Sequence, residues 1–129
     1  MKKIAVAVAA AVVLLTSAFV AGDAVISKEG KTTVVNTTTL TKNVRGFKGA
    51  TPLKIYIKGN KIQKIEALKN QETPQYFAKA KAYVLSKYEG LSVSKASNLK
   101  IDAKTGATFS TKALIKNVQE GVSYYKAHK

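Results

Sequence analysis

The chain has 129 residues, with 22 Lys and Arg against 7 Asp and Glu, so its formal net charge is +15. It contains no cysteine, which excludes disulfide bonds, iron–sulfur clusters and thioether-bound haem. A positive field of this size attracts anions, but the lysines are scattered and no RNA- or DNA-binding motif is present, which argues against nucleic acid as a partner.

The first residues predict a secretory signal peptide. Lys2 and Lys3 precede an unbroken apolar run over residues 4–15, and small residues follow as far as Gly22, an order typical of exported proteins. We expect cleavage after Gly22, which removes 22 of the 129 residues and leaves one small domain over residues 23–129. The alternative is an uncleaved membrane anchor, because the apolar stretch approaches the length of a spanning helix.

The first half of the mature chain predicts β structure. Residues 32–35 and 37–40 are rich in Thr and Val and are expected to form strands. Residues 53–58 alternate apolar and polar side chains, as a half-buried strand does. Gly59-Asn60 tolerates the positive φ of a two-residue hairpin turn. The apolar phase then shifts between Ile62 and Ile65, which indicates a β-bulge in the return strand.

The second half predicts a helix within residues 71–90. Thr73 is a fair N-cap, Pro74 suits the first helical position, and Gly90 suits a left-handed C-terminal residue. Apolar side chains at helical spacing form the face expected to be buried: Phe77, Ala80, Val84, Leu85 and Tyr88.

A short strand is expected over residues 99–101, and a last helix near Ser110 or Thr111. The apolar face of that helix consists of five residues: Leu114, Ile115, Val118, Val122 and Tyr125. Runs of strands followed by separate helices indicate an α+β fold. The expected arrangement is an antiparallel sheet with a hairpin, packed against two helices.

Residues 102–111 form the segment most informative for function. Gly106 tolerates positive φ, and the start of the following helix offers unpaired backbone N–H groups and a positive dipole end, which attract anions. Four hydroxyl side chains accompany it: Thr105, Thr108, Ser110 and Thr111. These residues suit a phosphate. The alternative, commoner on these residues alone, is a helix cap preceded by a glycine turn.

Two further clusters are less specific. Glu72-Thr73-Pro74 suits a helix start, which accounts for Thr73 and Pro74 but not for Glu72. In Gly46-Phe47-Lys48-Gly49, two glycines flank an aromatic residue, and a G-x-x-G loop is a weak signal. His128 is the single histidine, and no histidine–nucleophile pair or metal-ligand cluster is present. The sequence therefore offers no catalytic or metal-ligating residues, which disfavours a stand-alone hydrolase.

Taken in order, these clusters resemble the FMN-binding domain family. That domain occurs in the C subunit of the sodium-pumping NADH:quinone oxidoreductase, in the G subunit of the Rnf complex and in small exported flavoproteins. The matching segments are Gly46–Gly49, the Gly59-Asn60 hairpin, Glu72-Thr73-Pro74, and Asp102 to Thr108. The likeness covers about residues 45–123. Gln75 departs from the pattern, because the family often has glycine there.

The resemblance implies that FMN is the cofactor, joined to Thr108 Oγ through a phosphoester bond by a separate exported flavin transferase. Asp102, Thr105, Gly106 and Ala107 would form the motif that this enzyme recognises. Glu72 and Thr73 would lie near the isoalloxazine ring, and a further set would line the pocket: Gly46, Phe47 and Gly49.

The implied function is electron transfer outside the cytoplasm, in the periplasm or at the cell surface, by a carrier rather than a stand-alone enzyme. A membrane electron-transport complex is one candidate for its redox partner. The alternative hypothesis is a basic exported module without redox chemistry, which binds anionic ligands or surface polymers. The net charge supports this alternative but does not explain the Asp102–Thr108 motif.

Overall fold

A computed structural model of the protein describes residues 24–102 and 108–129. The predicted signal peptide therefore lies outside the described residues, as do Thr105, Gly106 and Ala107 of the predicted recognition motif. Among the helices that are described, none combines the length and the hydrophobicity needed to cross a membrane.

Four antiparallel strands form one sheet in the order β1–β2–β3–β4. They span Ile26–Glu29 (β1), Thr32–Asn36 (β2), Leu53–Lys58 (β3) and Lys61–Ala67 (β4). The β3–β4 hairpin turns at Gly59 and Asn60, whose φ angles are 60° and 58°. Tyr56 pairs with Lys64 but Ile57 pairs with Ile62, so Gln63 is an extra residue. Both the predicted turn and the predicted bulge are thus confirmed.

Three helices follow in the described residues: Pro74–Tyr88 (α1), Val93–Asn98 (α2) and Thr108–His128 (α3). They pack against the sheet face that carries Leu53, Ile55 and Ile57, all of which are fully buried. The α+β fold, with an antiparallel sheet against helices, is therefore confirmed. The short helix α2 was not predicted. Its start is capped by Ser92, whose Oγ accepts a hydrogen bond from Lys95 N at 3.1 Å.

The two long helices bury the predicted faces. In α1, Phe77, Ala80, Val84, Leu85 and Tyr88 are all buried. In α3, Leu114, Val118, Val122 and Tyr125 are buried, and Ile115 is half-buried. At Gly121 a Cβ would overlap Ile55 Cδ1, so the absence of a side chain there allows α3 to lie close to the sheet.

The predicted strand over residues 37–40 is wrong, because this segment is a turn, and the hydroxyls of Thr37 and of the following Thr41 are bound in the interior. Thr37 and Thr41 each donate to Asn117 Oδ1 of α3, at 2.6 and 2.7 Å. Asn117 Nδ2 in turn lies 3.2 Å from Thr51 Oγ1 and donates to Ala113 O at 3.0 Å. We call these four polar side chains, Thr37, Thr41, Thr51 and Asn117, the Asn117 cluster.

Two other boundaries also differ from the sequence prediction. Residues 99–101 form no strand, since α2 ends at Asn98 and Leu99 and Ile101 pack in irregular backbone against the core. Helix α3 begins at Thr108, ahead of the predicted start.

In α1, Thr73 occupies the N-cap with extended backbone but its side chain makes no capping hydrogen bond. Gly90, with a φ of 91°, has the predicted left-handed conformation.

Candidate functional site

The buried carboxylate of Glu72 gathers hydrogen bonds from two separate segments. Its Oε1 accepts from Phe47 N at 2.8 Å, and its Oε2 accepts from Lys48 N at 2.6 Å and Gly49 N at 3.1 Å. The Ser110 hydroxyl donates to Oε1 from the first turn of α3. We call this set the Glu72 cluster. It fastens the loop over residues 46–49 to the start of α3.

The electrostatics of the Glu72 cluster keep the carboxylate ionised. Burial raises the pKa of Glu72, but the hydrogen bonds from Ser110 and from three backbone N–H groups together outweigh it. The net pKa therefore lies below its ordinary value of 4.5. At neutral pH this side chain acts as a hydrogen-bond acceptor that shapes the loop, and it has no proton to donate.

The loop needs a glycine at position 46 but not, on steric grounds, at position 49. A Cβ at Gly46 would overlap Glu72 Oε1, whereas a Cβ at Gly49 would meet nothing within 4 Å. Gly46 N donates to Gly49 O at 2.8 Å, which closes the loop on itself. Arg45 Nη2 adds a hydrogen bond to Lys48 O at 3.1 Å. The approach of Glu72 therefore dictates the residue at position 46.

Three exposed aromatic side chains converge beside this loop. Phe47, Tyr76 and Phe109 are 68%, 51% and 63% exposed and are the exposed large hydrophobic residues of the described chain. All three line one cleft of about 240 Å³, and the Phe47 and Phe109 ring centroids are 6.1 Å apart. The other residues lining this aromatic cleft are Glu72, Thr73, Thr108 and Ser110. Grouped exposed apolar surface of this kind is typical of a binding site.

Thr108 lies where the aromatic cleft meets the N-terminus of α3. It is exposed, and it lines both the cleft and a neighbouring groove shared with Asp102 and Lys112. Tyr83 Oη donates to Asp102 O at 2.7 Å, which fixes the backbone at the residue that precedes residues 103–107 in sequence. The positive end of the α3 dipole favours negative charge at this point.

A family model for the FMN-binding domain matches residues 46–123, which is more than half of the chain. The chain belongs to the FMN-binding domain family. FMN is therefore its cofactor, and the matched region contains every residue that lines the aromatic cleft. The chain has no significant match among the curated proteins or the solved structures.

The residues of the aromatic cleft fit FMN. Aromatic side chains stack favourably on flat conjugated rings, and Phe47, Tyr76 and Phe109 offer such surfaces around one opening. Cavities that enclose a whole drug-sized ligand measure roughly 300–1,000 Å³, so a cleft of about 240 Å³ suits one end of FMN. Hydroxyl groups and a helix N-terminus at the margin suit the phosphate end.

The structure brings most of the described candidate residues together. Gly46, Phe47 and Gly49 form the loop beside Glu72, while Thr73, Thr108 and Ser110 line the cleft. The Ser110 hydroxyl, considered above for phosphate, donates instead to Glu72. Sequence reasoning missed Tyr76 and Phe109. The sequence contained a signal for them, because neither aromatic residue belongs to the apolar face of its helix and each is therefore expected to be exposed.

In the described residues, the cleft is accompanied neither by a histidine nor by a candidate metal site. His128 follows Thr108 by 20 positions along α3, which places it about 30 Å away along the helix axis. It stacks on Tyr124 with ring centroids 3.9 Å apart. Residues 24–102 and 108–129 contain no group of three or more acidic or histidine side chains able to hold a metal ion.

Proposed function

We propose that the protein is an exported electron carrier whose FMN is held by a phosphoester bond to Thr108 Oγ. The observation that carries this proposal is the convergence of three exposed aromatic side chains on one cleft with Thr108 at its margin. Export rests on the N-terminal segment, and it gives the protein a periplasmic or cell-surface location.

Thr108 is the most exposed of the three hydroxyl-bearing residues that line the cleft. Ser110 is buried and its hydroxyl donates to Glu72. Thr73 is half-buried at the N-cap of α1, whereas Thr108 is exposed. An attaching enzyme needs such access, and the helix dipole favours the negative charge of the resulting phosphodiester. These differences support Thr108 as the anchor.

A separate flavin transferase forms the bond in this proposal. As the Oγ–P bond forms, the Thr108 hydroxyl loses its proton and a phosphoanhydride P–O bond breaks in the FMN-containing dinucleotide that serves as donor. The nucleoside monophosphate leaves with that proton, and the protein gains the mass of one FMN less one water. Within the described residues, Glu72 is ionised but occupied by four donors, and His128 is about 30 Å away along α3. Neither of these side chains is therefore placed to activate Thr108, which is consistent with attachment by a separate enzyme.

The covalent bond solves a problem specific to an exported protein. A dissociable cofactor is retained only while its free concentration exceeds the dissociation constant, and free FMN is dilute outside the cell. When bound, FMN exchanges one or two electrons with donors and acceptors. The chain's own residues orient it, with the aromatic side chains flanking the ring and the Glu72 cluster fixing the loop that carries Phe47. A membrane electron-transport complex is the candidate redox partner.

Comparison of Thr108→Val with Thr73→Val tests the attachment. Both replace a threonine that lines the cleft, and both are produced together with the transferase and measured by intact mass and visible absorbance. We expect the FMN adduct in wild-type protein and in Thr73→Val, and its complete loss in Thr108→Val with the fold retained by circular dichroism.

A covalent flavin retained in Thr108→Val would refute the assignment of the anchor. Wild-type protein without any adduct, combined with salt-sensitive binding to polyanions, would instead favour the basic, non-redox binding module. The two results are distinguished by the mass spectrum alone.

A further inference from the structure

A basic groove is lined by two of the segments that also contribute to the aromatic cleft. It is lined by Arg45, Lys48 and Gly49 of the loop and by Lys69, Asn70 and Gln71 after β4. Neighbouring residues of the same two segments, Phe47 and Glu72, line the aromatic cleft. A molecule bound in the groove would therefore contact the same loop, residues 46–49, that contributes Phe47 to the cleft.

All of the charged side chains that line the groove are cationic. Three cationic side chains, Arg45, Lys48 and Lys69, line it, and no Asp or Glu is among its lining residues. The carboxylate next in sequence, Glu72, is buried and accepts bonds from three N–H groups of the loop. The groove therefore presents uncompensated positive charge beside the proposed flavin.

We propose that this groove docks an acidic surface of the protein that exchanges electrons with the FMN. The three cationic side chains are exposed, and the described residues contain no buried unsatisfied polar side-chain atom that would hold a small anion. Exposed cations contribute chiefly to long-range steering and to orientation. Weak redox encounters bury small interfaces of less than about 1,200 Å², for which a short cationic groove suffices.

This inference rests on the proposed function, because it requires FMN in the aromatic cleft. In each encounter one electron leaves the reduced centre of one protein and enters the oxidised centre of the other. Docking at Lys48 and Lys69 would bring the partner's centre beside Phe47, at the edge of the cleft.

The test uses a reduced acidic flavodoxin as the probe and flavin-loaded protein as the acceptor, in stopped-flow measurements. Lys48→Gln/Lys69→Gln removes two charges from the groove and leaves Arg45, whose guanidinium bonds to the loop. The matched control, Lys58→Gln/Lys61→Gln, removes two charges at the opposite ends of β3 and β4, about 20 Å away along the strands.

At low ionic strength we expect the groove variant to react about tenfold more slowly with flavodoxin, and the control less than twofold more slowly. The difference should disappear in high salt, which screens exposed charges. Hexaammineruthenium(II), a cationic reductant, should react faster with the groove variant, because the sign of the interaction is reversed.

Equal slowing of both variants would overturn the inference, since it would show that only the overall charge matters. A groove variant that reacts at the wild-type rate would also overturn it. If wild-type protein carries no flavin, the proposed function fails and this inference fails with it. If the protein carries flavin but the two variants behave alike, only the docking groove is refuted.

Discussion

Two buried polar clusters fasten the segments before β3 to helix α3, and they differ in charge. The Asn117 cluster is neutral, and Asn117 and Thr37 are fully buried. The Glu72 cluster centres on an ionised carboxylate that is 6% exposed, at the edge of the aromatic cleft. The first cluster holds the turn after β2, and the second holds the loop over residues 46–49.

The difference follows from what each side chain can bind. An amide both donates and accepts, so Asn117 satisfies threonine hydroxyls and the Ala113 carbonyl with no net charge in the core. A carboxylate only accepts, so Glu72 gathers loop N–H groups at the cost of burying a charge. We infer that the Asn117 cluster chiefly stabilises the fold, and that the Glu72 cluster chiefly shapes the cleft.

Asn117→Ala should produce the largest loss of stability. It leaves a cavity and removes the partner of three buried threonine hydroxyls, so the free energy of unfolding should fall by about 2–4 kcal/mol. Urea unfolding measures this loss. Asn98→Ala, which removes one exposed helical hydrogen bond, is the matched control and should change stability by less than about 0.5 kcal/mol. Normal flavin loading of folded Asn117→Ala protein would support the division between the two clusters.

Glu72→Gln should lower stability less but disturb the cleft more. The amide places donor hydrogens against N–H groups of the loop, so we expect a loss of about 2 kcal/mol. We also expect reduced flavin loading, because the loop that carries Phe47 loses its anchor. Glu66→Gln is the control, since Glu66 is exposed. Full flavin loading in Glu72→Gln would contradict the role given to this cluster.

Gly46→Ala should have an effect on stability comparable to that of Glu72→Gln, concentrated at the cleft. The added methyl group overlaps the Glu72 carboxylate, which must move and lose part of its hydrogen bonding, at a cost of about 1–3 kcal/mol. Gly49→Ala is the matched control in the same loop, because its Cβ meets no atom within 4 Å. Urea unfolding and flavin absorbance should separate the two variants, and equal behaviour would show that Glu72 does not dictate position 46.

Local sequence signals predicted the parts of the fold that local interactions determine. The hairpin at Gly59-Asn60, the bulge beside Ile62 and the buried face of α1 depend on neighbouring residues, and all were confirmed. The segment over residues 37–40 was predicted as a strand because its composition favours β structure. It is a turn because Thr37 binds Asn117, 80 positions later, and no local pattern contains that contact.

The cleft was only partly predictable for the same reason. Glu72 stood out because helix initiation did not require it, and its role depends on Ser110, 38 positions away. The family resemblance identified Phe47 but gave no reason to group it with Tyr76 and Phe109. Their proximity arises only when the loop, α1 and α3 pack together. Sequence patterns thus predicted the individual segments, while the packing of distant segments brought the three aromatic side chains together.

The pH dependence of stability provides the finest distinction between the two clusters. Folding lowers the pKa of Glu72 below its ordinary value of 4.5, so its contribution is fully present above pH 4.5 and declines as pH falls through the folded-state pKa. The stability difference between wild-type protein and Glu72→Gln should therefore shrink below pH 4.5. The difference between wild-type protein and Asn117→Ala should stay constant, because Asn117 does not titrate. Urea unfolding at a series of pH values from 7 downward measures both. A Glu72→Gln difference that stayed constant with pH would mean that the carboxylate is not held in its ionised form by the loop, and the electrostatic contrast between the two clusters would then be lost.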